Sequence, residues 1–233
     1  MRIYKNFEEA MEEIKRDLAE MGIRVHPQTY QDKFVGDNDE FETREITNYI
    51  YTVVEPQEYH LKPTQPWAEM EFKERLEGVY GSCICTQNPG KAWLERKDVW
   101  EQFLQEDGTF AYTYGERLAR SSQLTEVIGR LRTDPDSRQC FISIWDPCTD
   151  PRKMGGISRI PCTLGYLVQV RRGKLDLTYL QRSSDFATHL VNDVYLAFLL
   201  QEWIAGQVGV PVGNFTHWLG SLHIFAKDTK EVF

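Results

Sequence analysis

From Phe7 the apolar residues Met11, Ile14, Leu18 and Met21 recur at spacings of four and three with charged residues between them, the period of one buried helical stripe. Asn6-Phe7-Glu8-Glu9 at its head reads as a capping box, and Gly22 ends it. Asn48 to Val54 predicts a strand, and Pro56 and Pro63 break the stretch after it. Pro66-Trp67-Ala68-Glu69-Met70-Glu71-Phe72 places a proline near the first turn of a second helix. Leu124, Val127, Ile128 and Leu131 mark another, stopped by Asp134-Pro135-Asp136, and Gln139 to Trp145 predicts a strand. Thr163 to Val170 and Lys174 to Leu180 alternate apolar and polar positions around Arg171-Arg172-Gly173, a hairpin with a solvated turn. Leu190 to Val208 is the most apolar stretch and predicts a central helix ending at Gly209 before Pro211. Strands and helices intersperse without repeats or a clear linker, so the pattern predicts one α+β domain over residues 1–233.

Composition fits that picture and narrows the partners. Of 233 residues, 41% are hydrophobic and 12% aromatic, enough to bury a substantial core. The net charge of -8 leaves no basic surplus to displace counterions along a phosphate backbone, so general nucleic-acid binding is not expected. A few arginines around one phosphate remain compatible with it. Five cysteines in no regular framework, with no signal peptide, predict a reducing cytoplasm. Cys83-Ile84-Cys85 has too short a spacing for a zinc knuckle and no second pair follows, so no metal is expected. No apolar run approaches the roughly 20 residues that span a bilayer.

The candidate chemistry centres on Cys162, in Arg159-Ile160-Pro161-Cys162-Thr163. The predicted hairpin follows it and leads into Gln181-Arg182-Ser183-Ser184-Asp185. A thiol is a soft nucleophile, and an arginine with hydroxyls can hold a phosphate, which suits attack on a phosphorylated substrate. Arg182 and Arg159 are expected to lower the thiol pKa and favour the thiolate. Arg138, in Asp134-Pro135-Asp136-Ser137-Arg138, is a further cation for phosphate, and Asp193, in Val191-Asn192-Asp193-Val194-Tyr195, is a carboxylate able to read the edge of a base. His189 and His217 have no metal-ligand partners in sequence and read as structural.

These motifs, with Gly220-Ser221-Leu222-His223-Ile224-Phe225, resemble those of the thymidylate synthases and their relatives, the pyrimidine nucleotide hydroxymethylases. Weaker matches extend the resemblance forward through Tyr112-Thr113-Tyr114-Gly115 and Trp100 to Glu69. The resemblance implies Cys162 as the nucleophile that adds to C6 of the pyrimidine and Glu69 as the glutamate that organises water and proton transfer. It implies Arg182, Ser183 and Ser184 at the nucleotide, Arg138 as an arginine contributed by a partner subunit, His223 at the sugar and Tyr114 on the wall of the site. Asp185 and Trp100 are implied on the folate side. The fold implied is the synthase fold, with sheets packed back to back in a homodimer.

Departures from the synthase pattern point to a branch within the superfamily. Synthases carry asparagine where this chain has Asp193, and an amide can donate to uracil O4 while accepting from N3–H. A carboxylate accepts from the exocyclic amino group of cytosine, and the family's deoxycytidylate hydroxymethylases have aspartate there. Thr163 stands where synthases typically have histidine, and the chain ends at Phe233, soon after Phe225, without the segment that closes over the folate. Such a site is expected to admit water. Gln139 replaces one arginine of a phosphate-gripping pair, and Phe225 replaces a tyrosine that meets the sugar 3′-hydroxyl.

The resemblance therefore implies a deoxycytidylate 5-hydroxymethyltransferase that uses 5,10-methylenetetrahydrofolate, binds a pyrimidine nucleoside monophosphate and works as a cytoplasmic homodimer. Three alternatives stay open: a thymidylate synthase acting on dUMP, a CMP 5-hydroxymethylase, and a catalytically silent nucleotide- or RNA-binding homologue.

Overall fold

Asn6 caps the first helix as the sequence predicts: its Oδ1 accepts from the Glu9 amide at 2.9 Å, and α1 runs Phe7–Met21. The box is displaced by one residue, because the Glu9 carboxylate accepts from the Lys5 amide at 2.6 Å. Phe7, Ala10, Ile14 and Leu18 are fully buried, whereas Met21 is 48% exposed, so the stripe ends a turn early. Phe7 meets Phe198 and Phe215 edge-on at 5.3 and 5.2 Å, and burial of each such side chain stabilises the fold by about 1.5–3 kcal/mol.

The computed structural model describes residues 1–30, 33–80, 90–150 and 159–233; Cys83 and Cys85 lie outside the described residues. β1 (Arg2–Tyr4) precedes α1 and β2 (Ile23–Val25) follows it, while β3 (Thr29–Tyr30) and β4 (Lys33–Phe34) form a separate pair. β5 (Thr43–Val53) leads to α2 (Trp67–Tyr80), the short α3 (Lys97–Trp100) and α4 (Tyr114–Ala119), then α5 (Gln123–Thr133) and β6 (Phe141–Ser143). The hairpin of β7 (Thr163–Arg171) and β8 (Lys174–Asp185) precedes α6 (Val191–Val208), β9 (Val212–Phe225) and α7 (Ala226–Val232). Among the described residues no helix is long and apolar enough to cross a membrane.

One mixed sheet organises the chain in the order β1-β5-β9-β8-β7-β6, with β2 also paired to β5. β8 and β9 run parallel, and β9 and β5 antiparallel. The hairpin turn has Arg172 and Gly173 at positive φ (55° and 72°), the geometry that matches strand twist. β5 starts at Thr43, not Asn48, because its polar first half pairs with Ser221–Phe225 of β9; Asn48 is a left-handed interruption at φ 54°. α6 is buried on most of its circumference, packed against β8, β9, α2 and α5, and its C-cap Gly209 takes φ 83°.

Alternation along the sheet separates two faces. Leu175, Leu177, Tyr179 and Gln181 of β8 are buried in the core, with Phe215, His217 and Leu219 of β9 beside them. The alternate positions Ile50, Leu167, Leu180 and Trp218 are only half-buried. At one end of the sheet Arg117 of α4, 2% exposed, is held by Asp150 at 3.0 and 2.7 Å and donates to the Ile144 carbonyl at 3.0 Å. A buried charge stripped of its partner costs about 3–5 kcal/mol, so this pair clamps α4 onto the segment after β6.

Candidate active site

A cavity of about 920 Å³ opens where β8 and β9 both end. Their parallel register sets Ser183 beside Ser221 and Asp185 beside His223, while the start of β5 brings Thr43 opposite Phe225 and Glu45 opposite His223. Cys162 sits immediately before β7, whose first residue, Thr163, pairs with Gln181. The hairpin therefore closes the sequence gap between nucleophile and cation: the Arg182 amide donates to the Cys162 carbonyl at 2.7 Å, and Arg182 Nη2 lies 3.8 Å from Cys162 Sγ.

The thiol does not behave as the neighbouring arginines alone suggest. Burial pushes the Cys162 pKa up, and Asp193 adds to the rise; Arg182 and Arg159 pull it down without reversing it. The expectation of a lowered pKa is corrected, since desolvation of the thiolate outweighs the two cations.

Asp193 lines the cavity from the first turn of α6. Its Oδ2 accepts from Gln181 Nε2 at 2.6 Å and from Ser184 Oγ at 3.5 Å. Gln181 Oε1 meets His217 Nε2 at 2.9 Å, and His217 Nδ1 meets the Tyr51 hydroxyl at 3.0 Å. Tyr51, His217 and Gln181 are all 0% exposed. Burial raises the Asp193 pKa, opposed by His189, the Gln181 bond, Arg75 and Arg96 in that order. Oδ1 has no protein partner among the described hydrogen bonds.

A second string runs beside the nucleophile. Thr163 Oγ1 lies 3.0 Å from the Tyr114 hydroxyl and 2.8 Å from that of Tyr179. Tyr179 stacks on His217 at 4.5 Å and 9°, so the two strings meet in the core. Thr163 thus presents a hydroxyl bridged by two phenols beside the nucleophile.

Helix α2 sets a different glutamate from Glu69 at the cavity. Trp67, Glu71, Glu74 and Arg75 line the cavity, at intervals of four, seven and eight residues from Trp67, one face of the helix. Glu69 is about 200° round from Trp67 and does not line it; its carboxylate accepts from the Tyr195 hydroxyl. Glu71 instead faces the cavity and accepts from Arg75 Nε at 2.9 Å, while Arg75 lies over the Tyr114 ring at 4.0 Å. Gly115 makes this approach possible: a Cβ there would meet the Glu74 carbonyl at 3.1 Å.

The remaining predicted residues divide. Ser183, Ser184, Asp185, Trp100, Tyr114 and His223 all line the cavity. Asp185 also caps the turn into α6, accepting from Ala187 and Thr188 amides at 3.3 and 3.2 Å. Arg138 is exposed and does not line the cavity of its own chain. His189, read as structural from sequence, lines the cavity near Trp100, with its pKa lowered by burial. Arg159 lies over Trp100 at 4.2 Å and donates to the Tyr112 hydroxyl at 3.0 Å. Trp67 lines the aromatic side of the cavity, and its Nε1 is buried with no hydrogen-bond partner among the described residues.

The family model described as thymidylate synthase matches residues 83–233. The "Putative thymidylate synthase" of Methanothermobacter thermautotrophicus is 32% identical over 202 residues, 81% of each chain. "Thymidylate synthase 1" of Bacillus spizizenii is 27% identical over 138 residues, 55% of this chain and 48% of that one. The fold is similar to that of thermostable thymidylate synthase A from Bacillus subtilis, with a TM-score of 0.75 over 97% of this chain and 82% of that one at 20% identity.

Proposed function

Because the chain belongs to the thymidylate synthase family, we propose that it is the cytosine-specific form of that chemistry, a deoxycytidylate 5-hydroxymethyltransferase. The family binds a pyrimidine nucleotide and takes its one-carbon unit from 5,10-methylenetetrahydrofolate. The observation that carries the cytosine reading is Asp193, which lines the cavity: Gln181 and Ser184 donate to Oδ2, and Oδ1 is left as an acceptor among the described hydrogen bonds. An exocyclic amino group satisfies that acceptor, whereas a carbonyl in its place leaves both groups unpaired.

The cavity suits the folate in kind. Trp67, Trp100 and Phe103 offer aromatic faces and Asp185 an acceptor. When bound, the folate supplies an electrophilic one-carbon unit to C5. The protein does the rest. Cys162 Sγ adds to C6, which makes C5 nucleophilic, and Arg182 with Ser183 holds the phosphate. Asp193 accepts from the amino group and stabilises the proton arriving at N3, lowering the cost of the anionic intermediate. Once C5 carries the one-carbon unit, loss of the C5 proton and departure of tetrahydrofolate leave an exocyclic methylene on the ring, and Glu71 orders the water that adds to that carbon and takes the water's proton. Expulsion of Cys162 restores the ring as 5-hydroxymethyl-dCMP, with tetrahydrofolate as the other product.

Glu71→Gln is expected to lower kcat by about 10²-fold, the scale of a lost general base, with Glu69→Gln near wild type in the same steady-state assay. Equal losses in the two variants would return the role to Glu69.

Incubation with dCMP, CMP or dUMP plus methylene-folate, with product masses and dihydrofolate absorbance recorded, tests the whole reading. The expected result is dCMP gaining CH2O with no dihydrofolate. The second reading, methylation of dUMP, is favoured by the names of the relatives, and a stoichiometric dihydrofolate rise with dUMP would establish it. Faster turnover of CMP would change the sugar assignment alone. The reading includes a cytoplasmic homodimer that meets across the sheet face of Ile50, Leu167, Leu180 and Trp218, with Arg138 reaching the partner's phosphate site.

A further inference from the structure

The buried string from Tyr51 to Asp193 has a direction, and the direction sets what Asp193 can be. Burial holds the His217 pKa at about 3, so its ring is neutral and carries one N–H. Burial pushes the Tyr51 phenol up, so it keeps its proton. Two self-consistent polarities follow from the three contacts. In the first, Tyr51 donates to His217 Nδ1, His217 Nε2–H donates to Gln181 Oε1, and the Gln181 amide N–H donates to Asp193. In the second every bond reverses, and Asp193 must carry a proton to give to the Gln181 oxygen. The first polarity uses the Tyr51 proton within the string and ends on a carboxylate. The second displaces the Tyr51 proton and ends on a carboxylic acid.

We propose that Tyr51 and His217 are positioning residues for base selection, which hold the Gln181 amide in the first polarity and so keep Asp193 an acceptor. The string crosses from β5, where Tyr51 pairs with His217, through β9 to Gln181 on β8. In the second polarity the Asp193 proton is spent on the Gln181 oxygen and Oδ1 remains a neutral carbonyl, a weaker acceptor for an amino group and no counter-charge for a proton at N3, so a loosened string costs the cytosine reaction selectively. His189, Arg75 and Arg96 also face Asp193 and favour its charge, so the string acts together with three cations or potential cations against desolvation. The inference rests on the cytosine reading above and deepens it, since neither Tyr51 nor His217 reaches the cavity.

Tyr51→Phe keeps the ring in the core and removes the first donor. The measurement is kcat/KM for dCMP and for dUMP in wild type and variant. The dCMP-to-dUMP ratio is expected to fall about tenfold, the worth of one hydrogen bond. An equal fall on both nucleotides, with the ratio unchanged, overturns the positioning role and leaves Tyr51 structural. A wild type that prefers dUMP overturns the cytosine reading and this inference with it, so the wild-type ratio separates the two failures. Nitrogen-15 spectra of histidine-labelled wild-type protein supply a readout independent of the variant's folding. They should show His217 as the Nε2–H tautomer; an Nδ1–H tautomer overturns the direction of the string.

Discussion

Cys162→Ala is expected to abolish product formation, by at least about 10⁴-fold in single-turnover rate, while nucleotide affinity stays near wild type. The separation follows from geometry: Arg182, Ser183, His223 and Asp193 line the cavity independently of the sulfur. Calorimetric titration with dCMP beside a rapid-quench assay checks both halves. Because burial raises the thiol pKa, kcat/KM of the wild type should climb between pH 7 and 9 as the thiolate fraction grows. Appreciable product from the alanine variant would end the covalent mechanism.

Asp193→Asn is the variant with the largest expected effect on specificity. The asparagine Oδ1 can still accept from Gln181 Nε2, so the inner contact survives and the outward-facing group becomes a donor. Cytosine then meets donor with donor, and uracil meets a matching pattern. With about 1–3 kcal/mol for each unpaired group, the ratio of kcat/KM for dCMP over dUMP should fall on the order of 10³-fold. Most of that change is expected as loss on dCMP, because Thr163 and its two tyrosines remain as they are. A ratio that stays put shows that Asp193 does not read the base.

The hairpin was legible because its two strands alternate without interruption and Arg172-Gly173 supplies the turn. β9, the longest strand, was not predicted: His217 occupies a core position, and Gly213 and Gly220 thin the alternation. Cys162, Arg182, Asp185 and Asp193 were legible as contiguous motifs that the strand ends gather in space. Glu71 was not, because two glutamates two residues apart on one helix are told apart only by which face meets the cavity. Trp67 and Arg75 were the signal, eight residues apart on the same side. The raised thiol pKa is hidden for a related reason: sequence displays the cations but not the burial that strips water from the thiolate. His217 reads as a lone histidine in the sequence, and its contacts with Tyr51 and Gln181 arise only when β5, β8 and β9 pair.

The parallel pairing of β8 with β9 gives the molecule a working end and a quiet end. The cavity residues that these two strands carry, Arg182 to Asp185 and Ser221, His223 and Phe225, sit at their C-terminal ends, while the Arg172-Gly173 turn and the Val210-Pro211 approach lie at the opposite end of the same ladder. Changes of length at the quiet end leave the register of Ser183 with Ser221 untouched. Changes at the other end redraw the cavity. A single-residue slip inside the ladder is worse than either, since it turns Gln181 outward and Arg182 into the core. Diversity in such a scaffold is therefore expected to accumulate as insertions at one rim and as point substitutions at the other.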